Sequence, residues 1–226
     1  MSGITLLAYF YAKAIDNSNG ASQGGLMTCI PLIGLLVGGC MQAGTLAPSS
    51  DANFTARDRR ELANPPYRPA SISPTYRRQI VRYHRKEAPG SILVDTRGPF
   101  VYYVLPGGKA IRYGATVGEA GQAWKGLATV ARKAEWPGWT PTPDERRRLG
   151  PLPAYMPGGA ANPMGSRALY LYSGGQDTLY RIHGTNQPEY IGQAISSGCI
   201  RLTNEDAIDL YRRVEIGTIV VVLDRS

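Results

Sequence analysis

The amino-acid sequence predicts a mainly β, sandwich-like fold with one well-signalled helix. Residues 91–223 contain short runs rich in Val, Ile and Tyr, and Gly and Pro separate these runs, a pattern typical of strands and turns. The 27 glycines and 17 prolines of the chain argue against an all-helical bundle. At 226 residues the chain is long enough for one sizeable domain plus an extension.

The strands are predicted from these runs in chain order. A short helix is expected first, within 74–88, where the folded domain begins. Seven strands follow, at 91–95, 100–105, 109–113, 128–135, 168–172, 178–182 and 218–223. Seven strands within one domain favour a sandwich or barrel-like core.

The helix is predicted after Thr203, which has an acidic residue three positions later, as N-caps often do. Apolar residues then recur on one face at helical spacing, at Ala207, Ile208, Tyr211 and Val214, and Gly217 follows. Before it, the segment 136–167 is too long and too rich in turn residues to be an ordinary connection. We expect this segment to form a lid over a site.

The N-terminal part predicts export from the cytoplasm. Residues 26–39 form an apolar run of 14 residues, which is too short to span a bilayer and typical of a signal-peptide core. The run ends at Cys40 in a sequence that resembles a bacterial lipobox, so we expect lipid attachment at Cys40, with a plain anchor as the alternative. The expected organisation is a signal or anchor segment over 1–40, a basic Pro-rich linker over 41–75 and a catalytic domain over 76–226, located in the periplasm.

The net charge of +8 is a local feature of the linker and the start of the domain. Residues 57–86 carry nine cations against two anions, whereas residues 87–226 are nearly neutral. A basic segment ahead of a domain is typically a solvated tether, with contact to anionic lipid or wall polymers as the alternative. No nucleic-acid partner is therefore expected.

One cysteine and one histidine are the candidate catalytic residues. Cys199 is the only thiol that follows the export signal, and a lone thiol in an oxidising compartment needs a reason such as nucleophilic catalysis. His183 precedes it by 16 residues and ends a predicted strand. Imidazole can take the proton of a thiol or hold it as thiolate. The alternative is an inert buried cysteine.

The residues around Cys199 suit acyl transfer. Gly198 permits a sharp turn in which backbone N–H groups point at the carbonyl oxygen under attack, as in an oxyanion hole. Arg201 is a candidate clamp for a substrate carboxylate, with a role in holding the loop as the alternative. Ser196 and Ser197 favour the turn, and Ser197 is also a candidate substrate contact.

These motifs resemble the L,D-transpeptidase catalytic domain, also called YkuD-type, over roughly residues 91–223. The resemblance rests on His183-Gly-Thr, on Ser196-x-Gly-Cys-x-Arg201 and on the capped helix and Val-rich strand that follow. Many members carry histidine at the position of Ser197, which leaves the minor role of that residue open in this chain.

The resemblance implies that Cys199 is the nucleophile and His183 the general base and later acid. It further implies an oxyanion hole from the backbone around Gly198 and Cys199, and an imidazole oriented by the carbonyl of Gly184. The implied reaction is a two-step acyl transfer without cofactor. A thioester forms on a peptidoglycan tetrapeptide stem with release of D-alanine, and an amine then accepts the acyl group.

The acceptor amine is left open by the sequence. It could belong to another stem, to a free D-amino acid or to an outer-membrane protein. Rival interpretations are a cysteine peptidase or amidase, a wall-binding lipoprotein without activity, and a thiol-redox protein, which the absence of a Cys-x-x-Cys motif disfavours. No metal site is predicted, since one histidine and one cysteine do not make a closed ligand set.

Overall fold

The computed structural model describes residues 53–119 and 124–223. The predicted signal segment and Cys40 lie outside the described residues. In the described residues, eleven strands form: β1 Gln79–Arg82, β2 Ile92–Asp95, β3 Phe100–Leu105, β4 Lys109–Gly114, β5 Val117–Gly118, β6 Gly126–Glu135, β7 Arg167–Ser173, β8 Gln176–His183, β9 Ala194–Ser196, β10 Ile200–Arg201 and β11 Ile219–Val222. The helices of the same part are α1 Ala56–Ala63, α2 Pro143–Leu149 and α3 Asn204–Arg213. None of these helices has the length and apolar character needed to cross a bilayer.

Nine strands form one sheet in the order β1-β4-β3-β2-β11-β6-β7-β8-β10, and β5 pairs with β9. The pairs β8–β10 and β2–β11 are parallel, and the other pairs of the large sheet are antiparallel. A backbone bridge between Thr116, just after β4, and Arg201 of β10 joins the two ends of the sheet. The mainly β fold class is confirmed.

The core lies inside the curved sheet and against α3. Strand residues from both ends of the sheet, such as Ile111 of β4 and Ile182 of β8, belong to one buried cluster with Ala207 and Leu210 of α3. Alternate residues of the strands point into this cluster, which is the period that a half-buried strand requires. The sheet therefore wraps around a single core, and its closing edge at β8 and β10 carries the candidate catalytic residues.

The seven predicted strands are confirmed as β2, β3, β4, β6, β7, β8 and β11, with small shifts at their ends. The predicted helix within 74–88 is wrong: a 3₁₀ turn over Pro74–Tyr76 precedes β1. Ile80 packs against the main core, whereas Val81 packs against a second cluster on the other face, and this alternation stabilises a strand. Helix α3 begins after Thr203, whose hydroxyl accepts from Asp206 N at 3.2 Å, as predicted.

Helix α1 lies within the segment that was expected to be a linker. Thr55 and Asp58 form a reciprocal capping box, with Thr55 N donating to Asp58 Oδ2 at 2.9 Å and Asp58 N donating to Thr55 Oγ1 at 3.1 Å. Asp58 is fully buried and accepts two hydrogen bonds from Arg167, at 2.8 and 2.7 Å, and one from Trp136 Nε1 at 2.8 Å. The segment thus docks on the sheet through a buried ion pair.

Both carboxylate oxygens of Asp58 accept hydrogen bonds, from Arg167 and Trp136 at Oδ1 and from Arg167 and Thr55 at Oδ2. Burial alone would raise the pKa of Asp58, but hydrogen bonds from Arg167, Thr55 and Trp136 outweigh it and lower the pKa to about 2. Arg167 is itself buried, and its other carboxylate neighbour, Glu135, lies 3.8 Å away and is half-exposed. The Asp58 carboxylate and the Arg167 guanidinium are therefore each other's main counter-charge.

The long segment 136–167 is more ordered than its composition predicts. It contains α2, which Thr142 and Glu145 cap reciprocally, and a backbone bridge between Trp139 and Met156. The buried Asn162 amide donates to Met156 O at 3.0 Å and to Pro157 O at 2.9 Å. These bonds give the segment internal support, and its action as a lid stays a prediction.

The buried ion pair gives a stability prediction. Asp58→Ala should lower the free energy of unfolding by about 3–5 kcal/mol, because it leaves the Arg167 guanidinium buried without its main counter-charge. The measurement is urea unfolding followed by circular dichroism. Arg60→Ala, at an exposed position of the same helix, is the matched control and should change it by less than about 0.5 kcal/mol. Equal small effects of both variants would contradict a structural role for the pair.

Candidate active site

The turn that carries Cys199 is built between β9 and β10. Ser196 Oγ donates to Cys199 O at 2.6 Å and accepts from Gly198 N at 3.2 Å, so one hydroxyl closes the turn from inside. Gly198 has φ of 122°, which a residue with a Cβ rarely adopts. Of the two serines that the sequence assigned to the turn, the buried Ser196 makes these contacts. The N–H of Gly198 is therefore engaged within the turn, and the Cys199 N–H is the stronger candidate for an oxyanion hole.

His183 ends β8, beside the turn. In the parallel pair β8–β10, Arg201 lies opposite His183, and Leu202 N donates to His183 O at 2.8 Å. Cys199 lies two residues before Arg201, so continuing this register into the turn places the Cα atoms of Cys199 and His183 about 8 Å apart. That separation lets their side chains converge.

The imidazole of His183 is buried and oriented by backbone. Its Nδ1 lies 2.6 Å from Gly184 O, and since a carbonyl only accepts, Nδ1 carries the proton in this contact. Burial and the positive charge of Arg201 lower the pKa of His183 to about 3, although the carbonyls of Gly184 and Met164 favour the charged ring. The imidazole is therefore neutral at pH 7, with Nε2 able to accept a proton.

The thiol of Cys199 is half-buried and free, and it is directed at Leu179 O, 4.0 Å from Sγ. Burial raises the pKa of the thiol, although a backbone hydrogen bond from Arg181 and the charges of Arg201 and Arg181 act in the opposite direction. The thiol and the imidazole are thus both neutral at pH 7. This arrangement suits proton transfer during attack rather than a preformed thiolate.

A strained bulge in β8 presents the Leu179 carbonyl to the thiol. Leu179 has φ of 64°, its side chain is 66% exposed, and the β7–β8 register shifts next to it. Asp177 Oδ1 accepts from Leu179 N at 2.9 Å, and Arg181 holds the same carboxylate at 2.6 and 2.8 Å. This bulge could not be predicted from local sequence, because leucine is not a residue that favours positive φ.

Arg201 interacts electrostatically with the other ionisable groups of the site. Its Nη1 donates to Gln187 Oε1 at 3.3 Å. Burial lowers the pKa of Arg201, whereas the negative charges of Glu145 and of Cys199 in its thiolate form favour the charged guanidinium. Glu145 belongs to α2, so the long segment 136–167 contributes a negative charge to the electrostatics of the site. Ser197 is half-buried in the nucleophile turn. Both predicted substrate contacts therefore stand at the site, and their roles stay predictions.

Two residues that sequence reasoning missed, Asn204 and Ser166, are buried behind His183. Ser166 N donates to Asn204 Oδ1 at 2.8 Å, and Ser166 Oγ donates to Asn204 O at 2.9 Å. Asn204 directly follows the N-cap of α3, so in the sequence it has the character of an ordinary helix-start residue. Among the described residues, no group of three or more His, Cys, Asp or Glu side chains is placed to hold a metal ion.

The chain is similar in sequence to proteins of one known family. Residues 89–222 match the family model of the L,D-transpeptidase catalytic domain. The chain is 39% identical over 143 residues to the "Probable L,D-transpeptidase ErfK/SrfK" of Escherichia coli K12, which covers 59% of this chain and 44% of that protein. It is 48% identical over 99 residues to the "Probable L,D-transpeptidase YbiS" of the same strain, covering 42% and 31% of the two proteins. The chain thus spans less than half the length of either relative.

A solved structure from Brucella melitensis, described as a probable carnitine operon oxidoreductase, is 46% identical. The match covers 67% of this chain and 96% of that chain, with a TM-score of 0.45.

The neutral state of both groups predicts the pH dependence of thiol reactivity. With Cys29→Ser and Cys40→Ser as background, alkylation of Cys199 by iodoacetamide should accelerate about tenfold per pH unit through neutral pH, because only the thiolate reacts and the thiol pKa is raised. Stopped-time mass spectrometry measures the rate, and adding Cys199→Ser should abolish it. A plateau between about pH 5 and 8 would instead indicate a thiolate–imidazolium pair.

The strained bulge predicts an opposite effect of the same substitution at two exposed leucines. Leu179→Gly should raise the free energy of unfolding by about 0.5–1 kcal/mol, because glycine removes the cost of positive φ. Leu127→Gly, in β6 and 63% exposed, should lower it by about 0.5–1 kcal/mol. Thermal and urea unfolding measure both values, and destabilisation by Leu179→Gly would show that the bulge is unstrained.

Proposed function

The chain belongs to the L,D-transpeptidase catalytic domain family, and from this premise we propose that it is a peptidoglycan L,D-transpeptidase with Cys199 as nucleophile and His183 as base. The parallel pairing of β8 with β10 supports the assignment of these residues, because it brings a neutral, oriented imidazole beside the turn that carries Cys199. The substrate class follows from the family, whose name specifies the reaction.

In the first step, Cys199 Sγ attacks the carbonyl carbon of the third residue of a tetrapeptide stem. His183 Nε2 takes the thiol proton as the S–C bond forms. The thiol and the imidazole therefore stay neutral until the attack begins. The carbonyl oxygen becomes an oxyanion, for which the Cys199 N–H is the proposed donor. The C–N bond to the terminal D-alanine then breaks, and the imidazolium gives its proton to the departing amine.

In the second step, an amine attacks the thioester carbonyl. His183 takes a proton from the amine, the C–S bond breaks, and the thiol recovers its proton from the imidazolium. The proposed acceptor classes are the side-chain amine of another stem, a free D-amino acid and the amine of an outer-membrane protein. They share the same chemistry at Cys199 and yield a cross-link, an exchanged stem or an anchored protein.

Arg201 supports both steps through its charge. Its guanidinium is half-buried, and its positive charge favours negative charge on the Cys199 sulfur and lowers the basicity of the His183 ring. Its direct contact is with the Gln187 side chain, so a substrate carboxylate would compete with that amide for the same donors. We assign Ser197 and Arg201 to the substrate-facing side of the turn.

The proposed location is the periplasm, with the enzyme attached to a membrane through Cys40. The support is the apolar run 26–39, the lipobox-like sequence that ends at Cys40, and a peptidoglycan substrate that lies outside the cytoplasm.

Acylation by a carbapenem tests the roles of the two catalytic residues. Intact-mass spectrometry should show one adduct on the full chain, none on Cys199→Ala, and an adduct on His183→Gln that forms about 10²- to 10⁴-fold more slowly. The chain with Cys29→Ala and Cys40→Ala should be acylated like the parent. An adduct on the Cys199→Ala variant would contradict the assignment of the nucleophile.

Disaccharide-tetrapeptide tests the activity itself. The expected products are free D-alanine and a cross-linked dimer, measured by liquid chromatography with mass spectrometry. Release of D-alanine without transfer to any amine would favour a peptidase, and no product from a folded, acylable protein would contradict transpeptidation.

A further inference from the structure

The Asn204 side chain joins three separate segments directly behind His183. It is 2% exposed at the first residue of α3. Its Oδ1 accepts from Ser166 N at 2.8 Å, and its Nδ2 donates to Thr185 O at 2.9 Å and to Tyr67 Oη at 2.9 Å. Both amide hydrogens and the amide oxygen therefore have partners, as a buried amide requires.

Two glycines leave the space that the amide fills. A Cβ atom on Gly184 or on Gly165 would lie 2.3 Å from Asn204 Oδ1, which is well inside van der Waals contact. The Gly165 position would also be 2.5 Å from the carbonyl carbon of Gly184, so the two backbones are in direct contact. The amide, the segment before β7 and the segment after β8 thus form one closely packed unit.

The unit contacts the His183 ring through the backbone carbonyl groups of Gly184 and Met164. Gly184 O accepts from His183 Nδ1, and the next carbonyl along the chain, that of Thr185, is the one held by Asn204. The Met164 carbonyl, which also interacts with the ring, lies two residues before Ser166, whose N–H the same amide holds. Displacement of Asn204 would therefore move both backbone segments that orient the imidazole.

We infer that Asn204 is a positioning residue that fixes the ring orientation and tautomer of His183, and that Tyr67 holds Asn204 in place from the N-terminal segment. Asn204 touches no reacting atom, and it acts through Gly184 and Thr185. The fixed tautomer has Nδ1–H on Gly184 O and leaves Nε2 unprotonated. The effect of Asn204 on catalysis rests on the proposed role of His183 as base. The tautomer of the His183 ring does not depend on that role.

Nitrogen NMR tests the tautomer independently of activity. The chain contains two histidines, His84 and His183, so ¹⁵N-histidine labelling gives two ring systems, and the exposed His84 serves as internal reference. Parent protein should show His183 as the Nδ1–H tautomer at neutral pH. Asn204→Asp keeps the size and the acceptor of the side chain but replaces the donor to Thr185 O by an anion. It should give mixed tautomers or an inflection of the His183 shifts within about pH 4–8.

Carbapenem acylation of the same variants gives the catalytic readout. Asn204→Asp should acylate Cys199 about 10²-fold more slowly, as expected for a small misplacement of a catalytic group. Tyr67→Phe, which removes only the hydroxyl that accepts from Asn204 Nδ2, should slow acylation by a smaller factor, about 3- to 10-fold. Glu205→Gln, at an exposed neighbouring position, should leave both the rate and the spectra unchanged.

The outcomes separate the inference from the proposed function. If Asn204→Asp or Tyr67→Phe is folded by circular dichroism and keeps the parent tautomer and pH profile, the positioning role is wrong, whatever the acylation rate. If Asn204→Asp fails to fold, Tyr67→Phe decides alone. If the variants alter the tautomer but parent protein is neither acylated nor active on tetrapeptide, the proposed function fails and the positioning role stands.

Discussion

The need to satisfy buried polar groups organises one end of this protein. A continuous series of hydrogen bonds runs from Asp58 through the Arg167 guanidinium to Ser166, and on to the Asn204 amide. From Asn204 it continues to the backbone after β8, whose Gly184 carbonyl holds the His183 ring. An unpaired member of such a series would cost free energy comparable to a lost core contact, so each residue constrains the next. The orientation of one imidazole is therefore determined over several elements of the fold.

The protonation states of the site follow from this burial. Water is excluded from His183, and Arg201 stands beside it, so the ring resists a second proton. Partial burial keeps the thiol neutral as well, although two arginines favour its anion. In the proposed mechanism, the donors and cations at the turn act on the charge that develops during attack rather than on the resting groups.

Local patterns predicted most strands and the start of helix α3, and they singled out Cys199 and His183 as the candidate catalytic residues. The alternating strands and the Thr203 cap depend on neighbours a few positions away, and they were confirmed. The strand β1 was missed because its pairing with β4 and its two-sided packing are tertiary effects. The Thr55–Asp58 capping box was visible in the sequence, but Arg167 is 109 positions from Asp58 and Tyr67 is 137 positions from Asn204. A local sequence pattern does not indicate contacts between residues so far apart in the chain.

The docked N-terminal segment precedes the part of the chain that matches the family model, yet it supplies contacts to buried residues of that part. The family match begins at residue 89, whereas Asp58 and Tyr67 precede it and their partners Arg167 and Asn204 lie within it. A boundary drawn at the start of the family match would cut through a buried ion pair and remove one hydrogen bond of the Asn204 amide. A protein that received only the matched region of this chain would have to supply equivalent partners for both residues. In this chain, the region that matches the family model and the set of residues that completes its buried polar contacts have different limits.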